Sequence, residues 1–592
     1  MGDPRELPEL SEDKTEPFSQ TEIQARLDRS RREELTATTS AIPLDHFAVP
    51  PDEHIRILLR PLAPGRALRE HPSVRQVDLL AAGAEGEDAA LHTVLAVCQT
   101  AQDVNFPVQI SRVRCPLYYD PAHDHIVLSN SCDVPFLLSR VSQDPDRIAG
   151  PPRPIQIDPR AKKVLAPGTW RITLGDTDLL DFRLLERPSV LLRRRSPSAS
   201  SSDASEVSEL VKSTGKRSFV AGDDDYTSPE KRRRPSALGP DRDKDQVVVF
   251  MPTKAEGEGK QVAQYTGHPL LDLMPEETLE VPPGRAIVGY TITKKKPIAS
   301  TSSASVFTAE YSGAPGTYIV AKVLNTTLSS KTEASEAMIA KRVIQQAETW
   351  LSELRNHAKL KHDNIVQLHG GDARYLAIYM ESIEGRDLST KHVWRAVRTD
   401  LFTGDRADAI RILKDLSCAL KYLHGLALQH NDIKPGNVLY SRERGAVLCD
   451  LGLSTMQGAR VGGGTPWYVG PELIRGVGNK DDTGRGPPSD IWALGVLMLY
   501  ILGKISWPDI RGHRDHPRYL FWLLAEANDL SKQAPMRMQT WLTEVRNVRA
   551  GLDVHDRLER LVHGMLTPNP KERPTAAEIL RELKGEVVVV GA

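Results

Sequence analysis

Four polar residues that lie close together in the sequence could transfer a phosphoryl group: Asp432, Lys434, Asn437 and Asp450. This chemistry needs a carboxylate beside the attacking hydroxyl, a cation on the transferred phosphate and oxygen ligands for Mg²⁺. Asp432 can accept the hydroxyl proton, and Lys434 can neutralise the phosphate. Asn437 and Asp450 offer the hard oxygen ligands that Mg²⁺ prefers. The apolar runs between these two residues, separated by a charged turn, predict a β-hairpin that holds them together.

The stretch from His430 to Asn437 and the triplet Asp-Leu-Gly at 450–452 resemble two motifs of eukaryotic serine/threonine protein kinases. These are the catalytic loop, H-R-D-x-x-x-x-N, and the magnesium-binding D-F-G. The resemblance implies a two-lobed α+β fold and transfer of the γ-phosphate of ATP to Ser or Thr hydroxyls of proteins. It also implies that Asp432 is the catalytic base, that Lys434 steadies the γ-phosphate, and that ATP and Mg²⁺ are the cofactors.

Further kinase motifs follow the family's order on both sides of this loop. Residues 319–322 (Ile-Val-Ala-Lys) resemble the third-strand V-A-I-K motif, which makes Lys322 the partner of the α- and β-phosphates. The family's spacing places the glutamate that pairs with this lysine at Glu353. Residues 378–388 resemble the hinge between the lobes, with Met380 as gatekeeper. The resemblance also adds Val306, Val320 and the backbone groups of Glu381 and Ile383 to the ATP-binding set.

Other positions match residues that support the site in the family. Thr465 corresponds to the threonine of serine/threonine kinases, which favours hydroxyl acceptors of that kind. Asp490 is expected to cap backbone amides of the catalytic loop, and Arg573 is expected to pair with Glu472. His357 stands where the family has an apolar residue, and we expect a buried core histidine there.

The loop that covers the phosphates departs from the pattern. Ala299, Thr301 and Ala304 occupy the three glycine positions of G-x-G-x-x-G. Glycine serves there because it reaches positive φ and lets backbone N–H groups approach phosphate without a Cβ in the way. We therefore expect weakened ATP affinity without loss of catalysis.

Asn431 replaces the arginine of H-R-D and offers no cation for a phosphorylated activation loop. Activity is therefore expected not to depend on phosphorylation of Ser454 or Thr455. The missing glycines and Asn431 also motivate an alternative, a pseudokinase or phosphopeptide-binding scaffold with weak ATP binding. The presence of every residue expected to touch Mg²⁺ or the γ-phosphate favours an active enzyme.

Residues 45–188 consist of short apolar runs broken by Pro, Gly, Asp and Asn, which predict an all-β sandwich. Residues 110–120 resemble the signature of forkhead-associated domains, which bind phosphothreonine. The resemblance implies a phosphopeptide site that uses Ser111, Arg112 and Arg114, and a phosphoprotein partner, an arrangement similar to that of checkpoint kinases. Arg114 replaces the family's histidine, and the upstream Gly-Arg pair is missing. A sandwich kept for packing or partner contacts is the alternative.

The remaining segments are polar and low in aromatic residues. We predict a disordered tail at 1–44, a disordered basic and Ser-rich linker at 189–282, a protein kinase domain at 283–586 and a short tail at 587–592. Basic clusters in the linker resemble a bipartite nuclear-import signal, although a solvated charged linker is an equal alternative.

Composition limits which classes of protein and which cellular compartments the sequence fits. A chain of 592 residues is long enough for more than one domain, and its formal net charge of −1 gives no global attraction to nucleic acid or membrane surfaces. Five scattered cysteines indicate a reducing compartment. The apolar runs are too short for a membrane helix. We expect an intracellular protein of the nucleus or cytoplasm, with protein substrates and without membrane or direct nucleic-acid binding.

Overall fold

A computed structural model describes most of the two predicted domains. The described residues are 42–50, 54–62, 71–81, 91–141, 153–187, 190–193, 260–263, 267–283, 288–328, 335–456, 464–474, 486–509 and 533–584. Among these residues, no helix combines the length and the apolar character needed to cross a membrane. The predicted tails at 1–44 and 587–592 lie almost entirely outside the described residues, as do residues 194–259 of the predicted linker.

The N-terminal region is a sandwich of two antiparallel sheets. Its strands are β1 (Phe47–Ala48), β2 (Ile55–Pro61), β3 (Val74–Ala81), β4 (Leu91–Cys98), β5 (Asn105–Ile110), β6 (Val113–Tyr119), β7 (Ile126–Ser129), β8 (Phe136–Arg140), β9 (Ile155–Ile157), β10 (Lys162–Leu165), β11 (Gly168–Leu174) and β12 (Thr177–Leu184). The larger sheet has the order β1-β3-β4-β2-β12-β11-β8-β9, and the smaller one the order β10-β7-β6-β5. Alternating apolar residues such as Ile57, Phe106 and Phe182 fill the core between the two sheets.

A separate eight-stranded sheet follows in the chain and, with one helix, forms the small lobe. Its strands are β13 (Val190–Arg193), β14 (Lys260–Ala263), β15 (Thr278–Val281), β16 (Tyr290–Ser300), β17 (Ala304–Tyr311), β18 (Tyr318–Leu324), β19 (Leu368–Asp372) and β20 (Ala377–Glu381), in the order β14-β13-β15-β16-β17-β18-β20-β19. Helix α1 (Glu336–His357) packs on this sheet. Ser335 begins the helix, because its hydroxyl accepts a hydrogen bond from the backbone N–H of Met338.

The large lobe is mostly helical. Its elements are β21 (Arg386–Asp387), α2 (Arg406–Gly425), β22 (Leu428–Gln429), β23 (Val438–Ser441), β24 (Gly445–Leu448), β25 (Thr455–Met456), α3 (Pro487–Ile501), α4 (Gln533–Ala550), α5 (Arg557–Met565) and α6 (Ala576–Lys584). Across all parts of the described chain, short 3₁₀ helices lie at Leu44–His46, Ala373–Tyr375, Pro435–Asn437, Pro466–Tyr468, Pro471–Leu473 and Pro570–Glu572. Helix α3 is buried from Asp490 to Ile501, so it forms the centre of the lobe.

The local predictions can be compared with these elements. The hairpin expected between Asn437 and Asp450 is confirmed, since β23 pairs with β24 in antiparallel register. The predicted linker differs: β13, β14 and β15 lie within 189–282 and extend the small-lobe sheet. Each of these strands is only four residues long and contains at least one polar residue, so no apolar run marks it in the sequence.

Candidate active site

The loop between β22 and β23 brings Asp432 and Lys434 together. The ammonium group of Lys434 lies 2.6 Å from Asp432 Oδ2 and 2.8 Å from the Thr465 hydroxyl. The other carboxylate oxygen of Asp432 accepts hydrogen bonds from the backbone N–H and hydroxyl of Thr465, at 3.0 and 2.8 Å. Burial raises the pKa of Asp432, but Lys434 and Thr465 outweigh this effect and hold it below its usual value. The carboxylate is therefore ionised and can accept a proton.

Asn437 and Asp450 flank the confirmed hairpin. The side-chain amide of Asn437 donates to the backbone carbonyl of Asp432 at 2.8 Å and to its carboxylate at 3.0 Å. These bonds orient the amide, so that its carbonyl oxygen is turned away from Asp432. Asp450 adopts the left-handed conformation, with φ of +67°, and its carboxylate lies 2.7 Å from the Lys322 ammonium. The fold thus places one amide oxygen, from Asn437, and one carboxylate, from Asp450, at the two ends of the hairpin.

Lys322 contacts residues of both lobes, Glu353 in the small lobe and Asp450 in the large lobe. Its ammonium group lies 2.8 and 2.9 Å from the two carboxylate oxygens of Glu353 on α1. Burial disfavours the charge, but Asp450 and Glu353 outweigh it and raise the pKa of Lys322. A Cβ at Gly452 would lie 3.2 Å from Glu353 and 3.3 Å from Asp450, so a glycine leaves the room that these carboxylates need. The expected pairing of Lys322 with Glu353 is present.

Two further carboxylates, those of Asp490 and Glu472, are paired inside the large lobe. Asp490, at the start of α3, accepts hydrogen bonds from the backbone N–H groups of His430 and Asn431 at 2.9 and 2.8 Å. Arg573 forms a bidentate pair with Glu472, with both N–O distances at 2.8 Å. Both arrangements match the sequence-based expectations. They are structural, because neither touches the predicted reacting atoms.

The loop at residues 299–304, which is predicted to cover the phosphates, forms a tight turn around the Thr301 hydroxyl. The Thr301 hydroxyl accepts hydrogen bonds from the backbone N–H groups of Ser303 and Ala304, at 3.2 and 3.0 Å. The buried Arg342 of α1 donates to the carbonyl oxygens of Ser302 and Asn325 at 2.7 and 3.1 Å. The loop is therefore fixed by side chains where the family uses flexible glycine. Sequence reasoning missed Arg342, because no motif marks it.

The remaining predicted ATP-binding residues lie on the small-lobe strands and in the loop that follows β20. Ala299 is the second-last residue of β16, and Val306 and Val320 are half-buried on the adjacent strands β17 and β18. Met380 lies on β20 and is 8% exposed. The backbone N–H of Glu381 donates to Gln367 O at 2.8 Å, so only its carbonyl can face a nucleotide. Ile383 follows in the loop after β20.

Asn431 makes direct contact with the segment after Asp450. Its side-chain amide donates to Leu453 O at 2.9 Å and to the Thr455 hydroxyl at 2.8 Å. The Ser454 hydroxyl donates to Leu451 O at 2.6 Å and is buried. Neutral hydrogen bonds therefore hold residues 451–455 in place.

We predict that phosphatase treatment leaves the turnover rate unchanged. The double variant Ser454→Ala and Thr455→Ala should retain a rate within about threefold of wild type, because it loses only neutral hydrogen bonds. Steady-state kinetics on treated, untreated and variant protein would check this. A drop of tenfold or more after phosphatase treatment would show that a phosphate orders the segment after all.

His357 is buried, as expected, with 1% exposure. Its Nε2 atom lies 2.6 Å from the Val366 carbonyl, so Nε2–H donates and Nδ1 is unprotonated. Burial lowers the pKa of His357 below its usual value. The folded protein therefore keeps this imidazole neutral at pH values where the unfolded chain binds a proton.

We predict that His357 makes the protein less stable in acid. As the pH falls below the usual pKa of about 6.5, the unfolded state takes up a proton that the folded state does not, at up to about 1.4 kcal/mol per pH unit. His357→Leu should flatten this part of the decline. Chemical denaturation of both proteins from pH 7.5 to 5 would measure it, and parallel curves would contradict the prediction.

The residues of the predicted phosphopeptide site lie at one end of the sandwich. Ser111 and Arg112 form the tight turn between β5 and β6, and Ser111 has φ of +54°. Arg114 is the second residue of β6, and its carbonyl accepts a hydrogen bond from Ser131 N at 3.0 Å. All three predicted residues are exposed. The fold brings them to one surface.

Comparison with known proteins covers the C-terminal half of the chain. The family model described as "Protein kinase domain" matches residues 313–583. The chain is 32% identical over 230 residues to serine/threonine-protein kinase DCLK1 of Rattus norvegicus, which covers 38% of this chain and 46% of that protein. It is 26% identical over 276 residues to CBL-interacting serine/threonine-protein kinase 21 of Arabidopsis thaliana, covering 46% and 55% of the two chains. The similarity thus spans about half the length of these relatives.

Proposed function

Because the C-terminal half of this chain carries a eukaryotic serine/threonine protein kinase catalytic domain, we propose that the protein transfers the γ-phosphate of ATP to Ser or Thr hydroxyls of protein substrates. The observation that carries the proposal is the hydrogen-bonded group of Asp432, Lys434 and Thr465. It combines an ionised carboxylate with a buried cation at the position where a hydroxyl would attack.

In the proposed reaction each residue has a separate task. Asp432 orients the substrate hydroxyl and accepts its proton as the bond to phosphorus forms. Lys434 offsets negative charge on the transferred group, and its pKa, which Asp432 raises against the effect of burial, keeps it protonated. Lys322 holds the α- and β-phosphates and is itself held by Glu353. The ADP oxygen takes up the electron pair of the broken bond.

The residues present fit a bound Mg²⁺. Mg²⁺ usually takes one or two carboxylates together with substrate phosphates, and Asn437 and Asp450 supply a suitable pair of oxygen donors. The orientation of the Asn437 amide by Asp432 supports this assignment. Within the described residues, no larger cluster of His, Cys, Asp or Glu offers another metal site. When bound, the ion neutralises charge that develops on the phosphate oxygens.

A transfer assay over a wide ATP range tests the proposal together with the effect of the glycine-free loop. We predict Mg²⁺-dependent phosphorylation of a generic Ser/Thr substrate, with a half-saturating ATP concentration in the upper part of the usual range of about 1 μM to 1 mM. The reason is that Thr301 and Arg342 fix the loop, which cannot close on phosphate as glycine does. Low-micromolar ATP affinity by calorimetry would contradict the weak-binding prediction.

The alternative is a scaffold that binds phosphopeptides and lacks turnover. The exposed cluster of Ser111, Arg112 and Arg114 at one end of the sandwich favours it, because guanidinium groups bind phosphate strongly. Absence of transfer at any ATP concentration, with retention of phosphothreonine peptides by the full chain but not by Arg114→Ala, would favour the scaffold. Transfer by the wild type would show that the kinase domain is active whether or not the sandwich binds peptide.

A further inference from the structure

Helix α1 is buried over more of its surface than packing on one sheet requires. Its buried residues are Ala340, Arg342, Val343, Ile344, Gln346, Ala347, Trp350, Glu353, Leu354 and His357. At 100° per residue these positions cover more than half of the helix circumference, whereas a helix on a single sheet buries a narrower stripe. The additional cover comes from the N-terminal sandwich, whose strands β6, β7 and β10 contact α1.

The contact between the sandwich and α1 is apolar in its centre. Tyr118 of β6 and Val127 of β7 belong to the same buried cluster as Ala340, Ile344 and Ala347 of the helix. Val127 is completely buried and Tyr118 is 8% exposed. Cores of this kind are close-packed and transmit displacement. A shift of the sandwich would therefore move the helix.

Polar contacts fix the start of the helix to the sandwich. Strand β10 lies at the edge of its sheet, so the outward backbone groups of the strand need partners from elsewhere. Glu336, the first residue of α1, accepts hydrogen bonds from Val164 N at 2.7 Å and from Lys163 Nζ at 2.8 Å. Although burial raises it, these two donors hold the pKa of Glu336 below its usual value. The helix thus begins at a defined point on β10.

Further contacts reach the elements that carry both members of the Lys322–Glu353 pair. The Tyr118 hydroxyl lies 3.2 Å from Glu348 Oε1, five residues before Glu353 on the same helix. The Thr326 hydroxyl, just beyond the strand of Lys322, lies 2.6 Å from the buried carboxylate of Asp120 in the sandwich. Both sides of the active-site ion pair are therefore attached to the N-terminal sandwich.

We propose that the N-terminal sandwich is a positioning element of the catalytic site, which holds α1 so that Glu353 stays on Lys322. This inference rests on the proposed kinase function and extends it. In kinases the helix that carries this glutamate must be in place for activity, and a phosphorylated activation segment can control it. Asn431 offers no cation for such a phosphate, so the sandwich supplies the restraint. Tyr118, Val164 and Glu336 are positioning residues, because they act through α1.

Variants of the full chain at the contact with α1 test this proposal. Lys163→Glu places like charges beside Glu336 and should accelerate amide hydrogen exchange in α1 roughly three- to tenfold. Val164→Asp puts a carboxylate in the apolar contact and should accelerate it about tenfold or more. Both should lower kcat/KM in proportion. The exchanged pair Lys163→Glu with Glu336→Lys should recover part of both losses. Lys162→Glu, the same charge change on an exposed neighbour in β10, should alter neither.

The two measurements separate the possible outcomes. Faster exchange in α1 together with lower kcat/KM, and recovery in the exchanged pair, supports the proposal. Unchanged exchange in both single variants overturns it, and so does faster exchange with undiminished turnover. If the wild type shows no transfer, the proposed function fails, and hydrogen exchange alone still decides whether the sandwich restrains α1. Thermal unfolding of each variant identifies one whose sandwich has unfolded, and Lys163→Glu, at a partly exposed site, then decides the question.

Discussion

Replacing Asp432 with asparagine should lower the turnover rate by about 10²- to 10⁴-fold, the usual contribution of a positioned base. Asparagine keeps the shape of the side chain and can still contact Thr465, but it cannot accept the hydroxyl proton. The half-saturating ATP concentration should change little, because Lys322 and the loop around Thr301, which are expected to hold the nucleotide, do not contact this side chain. Transfer kinetics over a range of ATP concentrations would measure both values.

A matched control for this variant is Asp363→Asn, which makes the same change on the exposed loop between α1 and β19. The control should behave as wild type. If Asp432→Asn retains more than a tenth of the wild-type rate while it remains folded, then Asp432 is not the base. The hydroxyl proton would in that case leave by another route.

Replacing Arg573 with alanine should destabilise the large lobe by about 3–5 kcal/mol, the cost of leaving one charge of a buried pair without its partner. The two side chains of the pair are 0% and 5% exposed, so water cannot take the place of the guanidinium beside Glu472. The Arg573 guanidinium also lies over the Trp492 ring, 4.9 Å from its centroid. Denaturant unfolding of the full chain, followed by tryptophan fluorescence, would measure the loss.

Arg560→Ala provides the control for this prediction, because the Arg560–Glu582 pair is about half-exposed at both ends. An exposed pair contributes about 0–1 kcal/mol, so this variant should unfold close to wild type. Replacing both Arg573 and Glu472 with methionine should restore part of the lost stability, since neither charge is then buried alone. Equal losses for Arg573→Ala and Arg560→Ala would contradict the assignment of a buried pair.

The contacts of the candidate site that the sequence anticipates are those between residues of continuous motifs. Asp432, Lys434 and Asn437 stand within a few residues of one another, so a local pattern is enough to place them. The Lys322–Glu353 contact crosses a longer interval, yet the spacing of the surrounding motifs locates it. The proposed reaction requires fixed spacings between these residues, and such a requirement produces a recognisable pattern in the order of residue types.

Contacts between distant parts of the chain produce no such pattern in the sequence. Helix α1, from Glu336 to His357, packs against both the small-lobe sheet and the sandwich, and no kinase motif marks where it begins. A helix with two contact surfaces lacks the single apolar stripe that sequence periodicity detects. The Tyr118–Glu348 bond joins residues 230 positions apart, and neither residue type is unusual where it stands.

The sheet order of the small lobe has a consequence for any fragment prepared from this protein. The family match begins at residue 313, after β17 has ended at Tyr311. A polypeptide cut there would lose every strand on one side of β18, the strand that carries Lys322. The exposed N–H and C=O groups of β18 would then pair with other chains, so such a fragment should aggregate during expression. A fragment that keeps β15, β16 and β17, together with the contact of His268 with the Tyr375 carbonyl at 3.1 Å, has to begin no later than His268.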